Sequence, residues 1–117
     1  MKLRIQDDSL RLRLTRNEVA RLREHGLVEC AIRFPANQTL AYSVVSSLDT
    51  TEISVSYAAD SIQVALPSEL VMDWADDSTE VTMEGSDSGV HVLVEKDFQC
   101  LHQSVERDPE AFPNPLA

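Results

Sequence analysis

Asp8-Ser9-Leu10-Arg11-Leu12-Arg13-Leu14 returns 52 positions later as Asp60-Ser61-Ile62-Gln63-Val64-Ala65-Leu66. Each copy alternates apolar and polar residues with period two, the pattern of a strand with one buried face. Each is preceded by another alternating stretch, Lys2 to Gln6 in the first half and Glu52 to Tyr57 in the second. Each is followed by a segment with helical signals and then by two further alternating runs. A motif repeated in this way describes an architecture, because two similar halves can close one core around a pseudo-two-fold axis.

Working outward, Leu3 and Ile5 oppose Lys2, Arg4 and Gln6, and the acidic pair Asp7-Asp8 turns the chain into Ser9–Leu14. Thr15-Arg16-Asn17-Glu18 reads as a capping box, in which hydroxyl and carboxylate satisfy each other's backbone amides at a helix start. The helix is expected over 16–25, with Val19 and Leu22 inward and Gly26 as its stop. Leu27 to Phe34, bounded by Pro35, pairs with Thr39 to Ser46. In the second half a turn at Ala58–Asp60 leads into Ser61–Leu66, and Pro67-Ser68-Glu69 opens a helix. That helix carries Leu70, Val71, Trp74 and Ala75 on one face. Val81 and Met83 mark a strand, Ser86-Asp87-Ser88-Gly89 a turn, and Val90, Val92 and Val94 its partner.

The expected fold class is therefore α+β and mostly β. It is a pseudo-two-fold barrel of two tandem strand-strand-helix-strand-strand units, swapped-hairpin-like, within one domain spanning 1–117. The halves cover about 1–47 and 51–97. The remaining 98–117 form an irregular tail that Leu101 and Phe112 would dock onto the barrel.

Composition limits the partners. The net charge of −10 is unevenly spread. Residues 1–34 carry eight basic and five acidic groups, whereas residues 35–117 carry only Lys96 and Arg107 against fifteen acids. Most of the surface should repel nucleic acid and anionic lipid, while one region need not. No long apolar run and no leader-like start are evident, so a cytoplasmic location is expected, without a membrane partner. Cys30 and Cys100 stand far apart; free thiols in a reducing compartment are favoured over a disulfide.

Two resemblances enter here. Ser61 to Lys96, with Ile62-Gln63-Val64-Ala65-Leu66 running into Pro67-Ser68-Glu69-Leu70 and then Glu80-Val81-Thr82-Met83-Glu84, resembles the swapped-hairpin unit of the AbrB/MazE/SpoVT superfamily. That likeness implies a barrel whose second unit is the first half of the same chain, and a DNA-contacting or antitoxin-like role. The whole chain also resembles a bacterial family of small uncharacterised proteins. The matching pieces are Lys2-Leu3-Arg4-Ile5-Gln6, Ser9 to Thr15, Val94-Glu95-Lys96-Asp97-Phe98 with Cys100-Leu101, and the ending Asp108-Pro109-Glu110-Ala111-Phe112-Pro113-Asn114-Pro115. This second likeness implies no activity.

Three candidate sites follow. Lys2, Arg4, Arg11 and Arg13 project from the outer side of the first hairpin, with Arg33 joining from the next strand. Guanidinium forks suit phosphate or carboxylate, so the partners are an acidic protein segment or a small anion, and less readily nucleic acid. The bland reading is that Glu95, Asp97 or the tail acids Glu106, Asp108 and Glu110 cover the stripe. Cys100 and His102, spaced i, i+2, are the only close pair of zinc-type ligands or of thiol and base. A pair lacks the third group that metal or catalysis needs, so no cofactor is expected. A metal- or thiol-dependent enzyme resting on Cys100 and His102 stands as the second alternative, after a DNA-contacting regulator. His91 is expected on the outer face. Asp73, Asp76, Asp77 and Glu80 read as a solvated helix end, and Trp74 as core rather than a ligand platform. The function expected is that of a non-catalytic binding or interaction module.

Overall fold

The computed structural model describes residues 1–98 and Phe112. Among them the chain forms β1 (Lys2–Gln6), β2 (Ser9–Leu14), α1 (Arg16–His25), β3 (Leu27–Phe34) and β4 (Gln38–Ser47). The same order follows in β5 (Ser54–Ala58), β6 (Ser61–Pro67), α2 (Ser68–Asp76), β7 (Thr82–Asp87) and β8 (Val90–Lys96). The local causes are those legible in the sequence. Thr15 Oγ1 accepts from the Glu18 amide (3.4 Å), and Glu18 Oε1 accepts from the Thr15 amide (2.9 Å), completing the capping box of α1. Gly26 ends the helix at φ +78°, a conformation that suits glycine. Two-residue turns with positive φ at both positions, Ala59-Asp60 and Ser88-Gly89, join β5 to β6 and β7 to β8. The last turn is tighter than expected, so β7 continues through Ser86 and Asp87, while exposed Val81 lies before it.

The strands form two four-stranded sheets, ordered β1-β2-β8-β7 and β3-β4-β6-β5. Each half divides its hairpins between them. β2 and β8 run parallel in one sheet, and β4 and β6 run parallel in the other; every other pairing is antiparallel. The core lies between the sheets and under the helices. Leu12, Leu14 and Leu22 from the first half and Val64, Leu66 and Trp74 from the second are all buried, as are Val28, Val44, Val71, Met83, Val92 and Val94. Trp74 belongs to this core, its indole N–H donating to the Val81 carbonyl at 3.0 Å.

Among the described residues a closed barrel is not formed. Closure needs hydrogen-bond ladders between β1 and β3 and between β5 and β7, and neither pair shares one. Side chains span these gaps instead. On one side the Val55 amide donates to Asp87 Oδ2 (2.9 Å), and Ile53 lies so close to Gly85 that any Cβ there would meet its Cβ at 2.9 Å. On the other, the Met1 amino group bonds Glu18 and approaches Cys30, while the Tyr42 hydroxyl donates to the Met1 carbonyl. Between β5 and β7, the Ile53 side chain occupies the space that a backbone ladder would use.

Candidate functional site

The outer face of the first sheet carries the basic residues. Leucines at 3, 10, 12 and 14 take the inward positions of β1 and β2, so Lys2, Arg4, Arg11 and Arg13 point away from the core. The antiparallel register sets Lys2 opposite Arg13 and Arg4 opposite Arg11. These four line a shallow concavity of about 220 Å3. Like charges directly opposed across a strand pair oppose folding, so the array is not explained by the stability of its own hairpin.

Neighbouring acids answer part of this charge. The parallel register of β2 and β8 sets Glu95 beside Arg13. Its Oε1 lies 2.7 Å from Arg13 Nε and 3.5 Å from Arg11 Nε, so one oxygen serves two guanidiniums. Arg13 is held above its ordinary pKa, chiefly by the hydrogen bond it donates to Glu95. Lys2 Nζ reaches Asp97 Oδ2 at 3.2 Å. Four cations thus meet two carboxylates, and Arg4 has no acidic partner among the described residues. Arg33 does not join them, because β3 belongs to the other sheet. The part of the covering acids expected at Glu95 and Asp97 is in place; Glu106, Asp108 and Glu110 lie outside the described residues.

Beyond the Lys2–Arg13 end of the stripe, the surface drops into a larger groove of about 700 Å3 between α1, the end of α2 and the end of β8. Leu14, Val19, Ala20, Ala75 and Phe98 give it an apolar lining, and Arg16, Arg23 and Lys96 set cations at its rim. Two of those cations are engaged. Arg23 forms a two-pronged pair with Asp76 (2.5 and 3.1 Å), which holds that carboxyl below its ordinary pKa. Lys96 Nζ donates to the Asp77 carbonyl (2.8 Å) and sits 5.4 Å from the centre of the Trp74 ring. Asp97 joins the two features, since it lines the groove and pairs with Lys2. Sequence reading missed the groove. Arg16 and Lys96 stand 80 positions apart, and only the parallel pairing of β2 with β8 brings them to one end of a sheet.

The other candidates resolve differently. His91 is on the outer face, its Nε2 2.9 Å from Glu84 Oε1. Two acids at the end of α2 are engaged, Asp76 with Arg23 of α1 and Asp77 with the amide and hydroxyl of Thr79. Cys30 Sγ is 4.0 Å from Glu18 Oε2. Cys100 and His102 lie outside the described residues; among those described, no three potential metal ligands come together. Phe112, expected to anchor the tail, is 97% exposed. No described helix is long and apolar enough to cross a membrane.

Comparison with known proteins agrees with the full-length resemblance. A family model described as a family of unknown function, DUF7009, matches residues 1–116. No curated protein and no solved structure matches the chain.

Proposed function

The chain belongs to the family of unknown function DUF7009, and from the geometry of its surface we propose that it is a non-catalytic binding module for an acidic protein segment. The carboxylates of that segment lie along Lys2, Arg4, Arg11 and Arg13, and an apolar side chain of the same segment fills the adjoining groove. The observation that carries this reading is the pair of cross-strand like-charge pairings, Lys2–Arg13 and Arg4–Arg11, answered among the described residues by only two carboxylates. Such an arrangement costs folding stability and is relieved when anions bind. Continuity with an apolar recess favours a peptide over a bare anion, because apolar anchors in pockets supply most of the affinity at protein interfaces. Duplex DNA is disfavoured by Glu95, Glu84 and Asp97 on or beside the same face and by the net charge of −10.

The same reading treats the halves as two copies of a swapped-hairpin unit. Exchanging the halves converts one strand order into the other, and buried Leu14, Leu22, Leu66 and Trp74 fall at equivalent places. The copies differ in their polar positions, where Arg11 and Arg13 correspond to Gln63 and Ala65. Binding is accordingly assigned to the first copy.

The test is fluorescence anisotropy with a labelled Asp/Glu-rich peptide carrying one Phe, beside the same peptide with Ala for Phe and a labelled DNA duplex. The Phe peptide should bind best and lose affinity with salt. The variant Arg4→Glu/Arg11→Gln, which leaves the Arg13–Glu95 pair intact, should bind at least about tenfold more weakly. Equal binding by that variant, or a preference for the duplex, refutes the proposal.

A further inference from the structure

The second sheet presents an edge of a different kind. β3 is the longest of the four edge strands at eight residues, against five for β1, five for β5 and six for β7. β5 and β7 face one another across the Ile53–Gly85 contact and the Asp87 bond, so their edges are engaged. β1 is poorly suited to self-pairing, because an antiparallel copy centred on Arg4 sets that cation against itself. On β3, among the described residues, no backbone hydrogen bond other than its ladder to β4 reaches residues 27–34. The Met1 amino group meets the strand only at Cys30 Sγ, which shares the core-facing side with buried Val28 and leaves the backbone edge unpaired. Its side chains include three large apolar groups left substantially in solvent, Leu27 (44%), Ile32 (48%) and Phe34 (48%). An exposed, long, apolar edge strand is the arrangement that invites another strand.

The sequence of this edge specifies which strand it takes. Leu27-Val28-Glu29-Cys30-Ala31-Ile32-Arg33-Phe34 has its charges placed symmetrically about Ala31. In an antiparallel pair of two such strands centred on Ala31, Glu29 of each copy faces Arg33 of the other, twice over. On the opposite face Val28 meets Phe34 and Cys30 meets Ile32, which withdraws two of the three exposed apolar side chains, Ile32 and Phe34, from water. Ala31, the smallest side chain of the strand, falls on the two-fold axis, where the copies approach most closely. We propose that β3 pairs with the β3 of a second copy of this chain, joining two four-stranded sheets into one of eight strands through an isologous contact. Backbone hydrogen bonds supply the attraction, and the Glu29–Arg33 pairs set the register, since opposite charges across a strand pair stabilise it and like charges oppose it. This inference is independent of the binding face, which lies on the other sheet.

Sedimentation velocity of the full chain over micromolar to millimolar concentration tests it. The protein should show a monomer–dimer equilibrium. Glu29→Arg alone sets arginine against arginine, and Arg33→Glu alone sets glutamate against glutamate; each should weaken self-association by at least about tenfold. An equimolar mixture of the two single variants restores both attractive pairs and should form a heterodimer. The double variant Glu29→Arg/Arg33→Glu restores the homodimer and shows that the strand tolerates both changes. A wild-type chain that is monomeric throughout overturns the inference. So does a dimer indifferent to the single reversals, or a mixture that fails to associate.

Discussion

Gly85→Ala probes the seam between the two sheets, where the absence of a closed barrel is decided. A methyl group at residue 85 would sit 2.9 Å from Ile53 Cβ, 3.1 Å from its Cδ1 and 3.3 Å from its Cγ1. The nearest of these atoms is fixed to the backbone and cannot swing aside, so β7 and the segment entering β5 must move apart. Overpacking of this kind costs about 1–3 kcal/mol. The reduced freedom of the unfolded chain on replacing glycine returns about 0.4–1 kcal/mol. A net loss of about 1–2 kcal/mol should remain, lowering Tm by roughly 4–8 °C in a domain of this size. Urea denaturation can be followed through Trp74, which is the chain's single tryptophan and is buried. Ile53→Gly removes all three clashing atoms and by itself costs at least the ~2–5 kcal/mol of an isoleucine truncation. In that background Gly85→Ala should be neutral or stabilising, giving a coupling of about 1–3 kcal/mol between the sites. An alanine that stabilises the wild type, or one that costs the same in both backgrounds, refutes the packing argument.

Two further measurements address other parts of the fold. Burial opposes ionisation of Glu18, but hydrogen bonds from the Met1 amino group and from Thr15 outweigh it and hold the carboxyl below its ordinary pKa. Its contribution is therefore complete above the ordinary glutamate value of ~4.3 and is lost as pH falls through the lower folded value. Glu18→Gln keeps the capping bond but not the charge, so thermal melts should show a loss of about 1–3 kcal/mol at neutral pH and a flatter acid limb; an unchanged acid limb contradicts this. Trp74→Phe removes the bond to the Val81 carbonyl and the larger ring beneath Lys96, and should cost about 1–3 kcal/mol in urea denaturation. No loss there would mean that the indole N–H contributes nothing net.

The sequence by itself determined the elements and the side each one buries. Leu10, Leu12 and Leu14 alternate with Arg11 and Arg13, and a period of two leaves no other way to bury the leucines than to turn the arginines outward. Thr15, Glu18 and Gly26 delimit α1 through bonds that close within a few residues. Local chemistry of this kind acts over short distances along the chain and so can be read from it. Which hairpin joins which sheet is a long-range choice, and only the tertiary structure made it. Parallel pairing of β2 with β8 set Glu95 between Arg11 and Arg13, opened the groove between Arg16 and Lys96, and removed Arg33 to the other sheet. The repeat suggested closure, but β1 and β3 share no ladder, and the Ile53 side chain lies against Gly85 where a ladder between β5 and β7 would run. Contacts between residues tens of positions apart depend on the three-dimensional fit of side chains, which alternation along one strand does not encode.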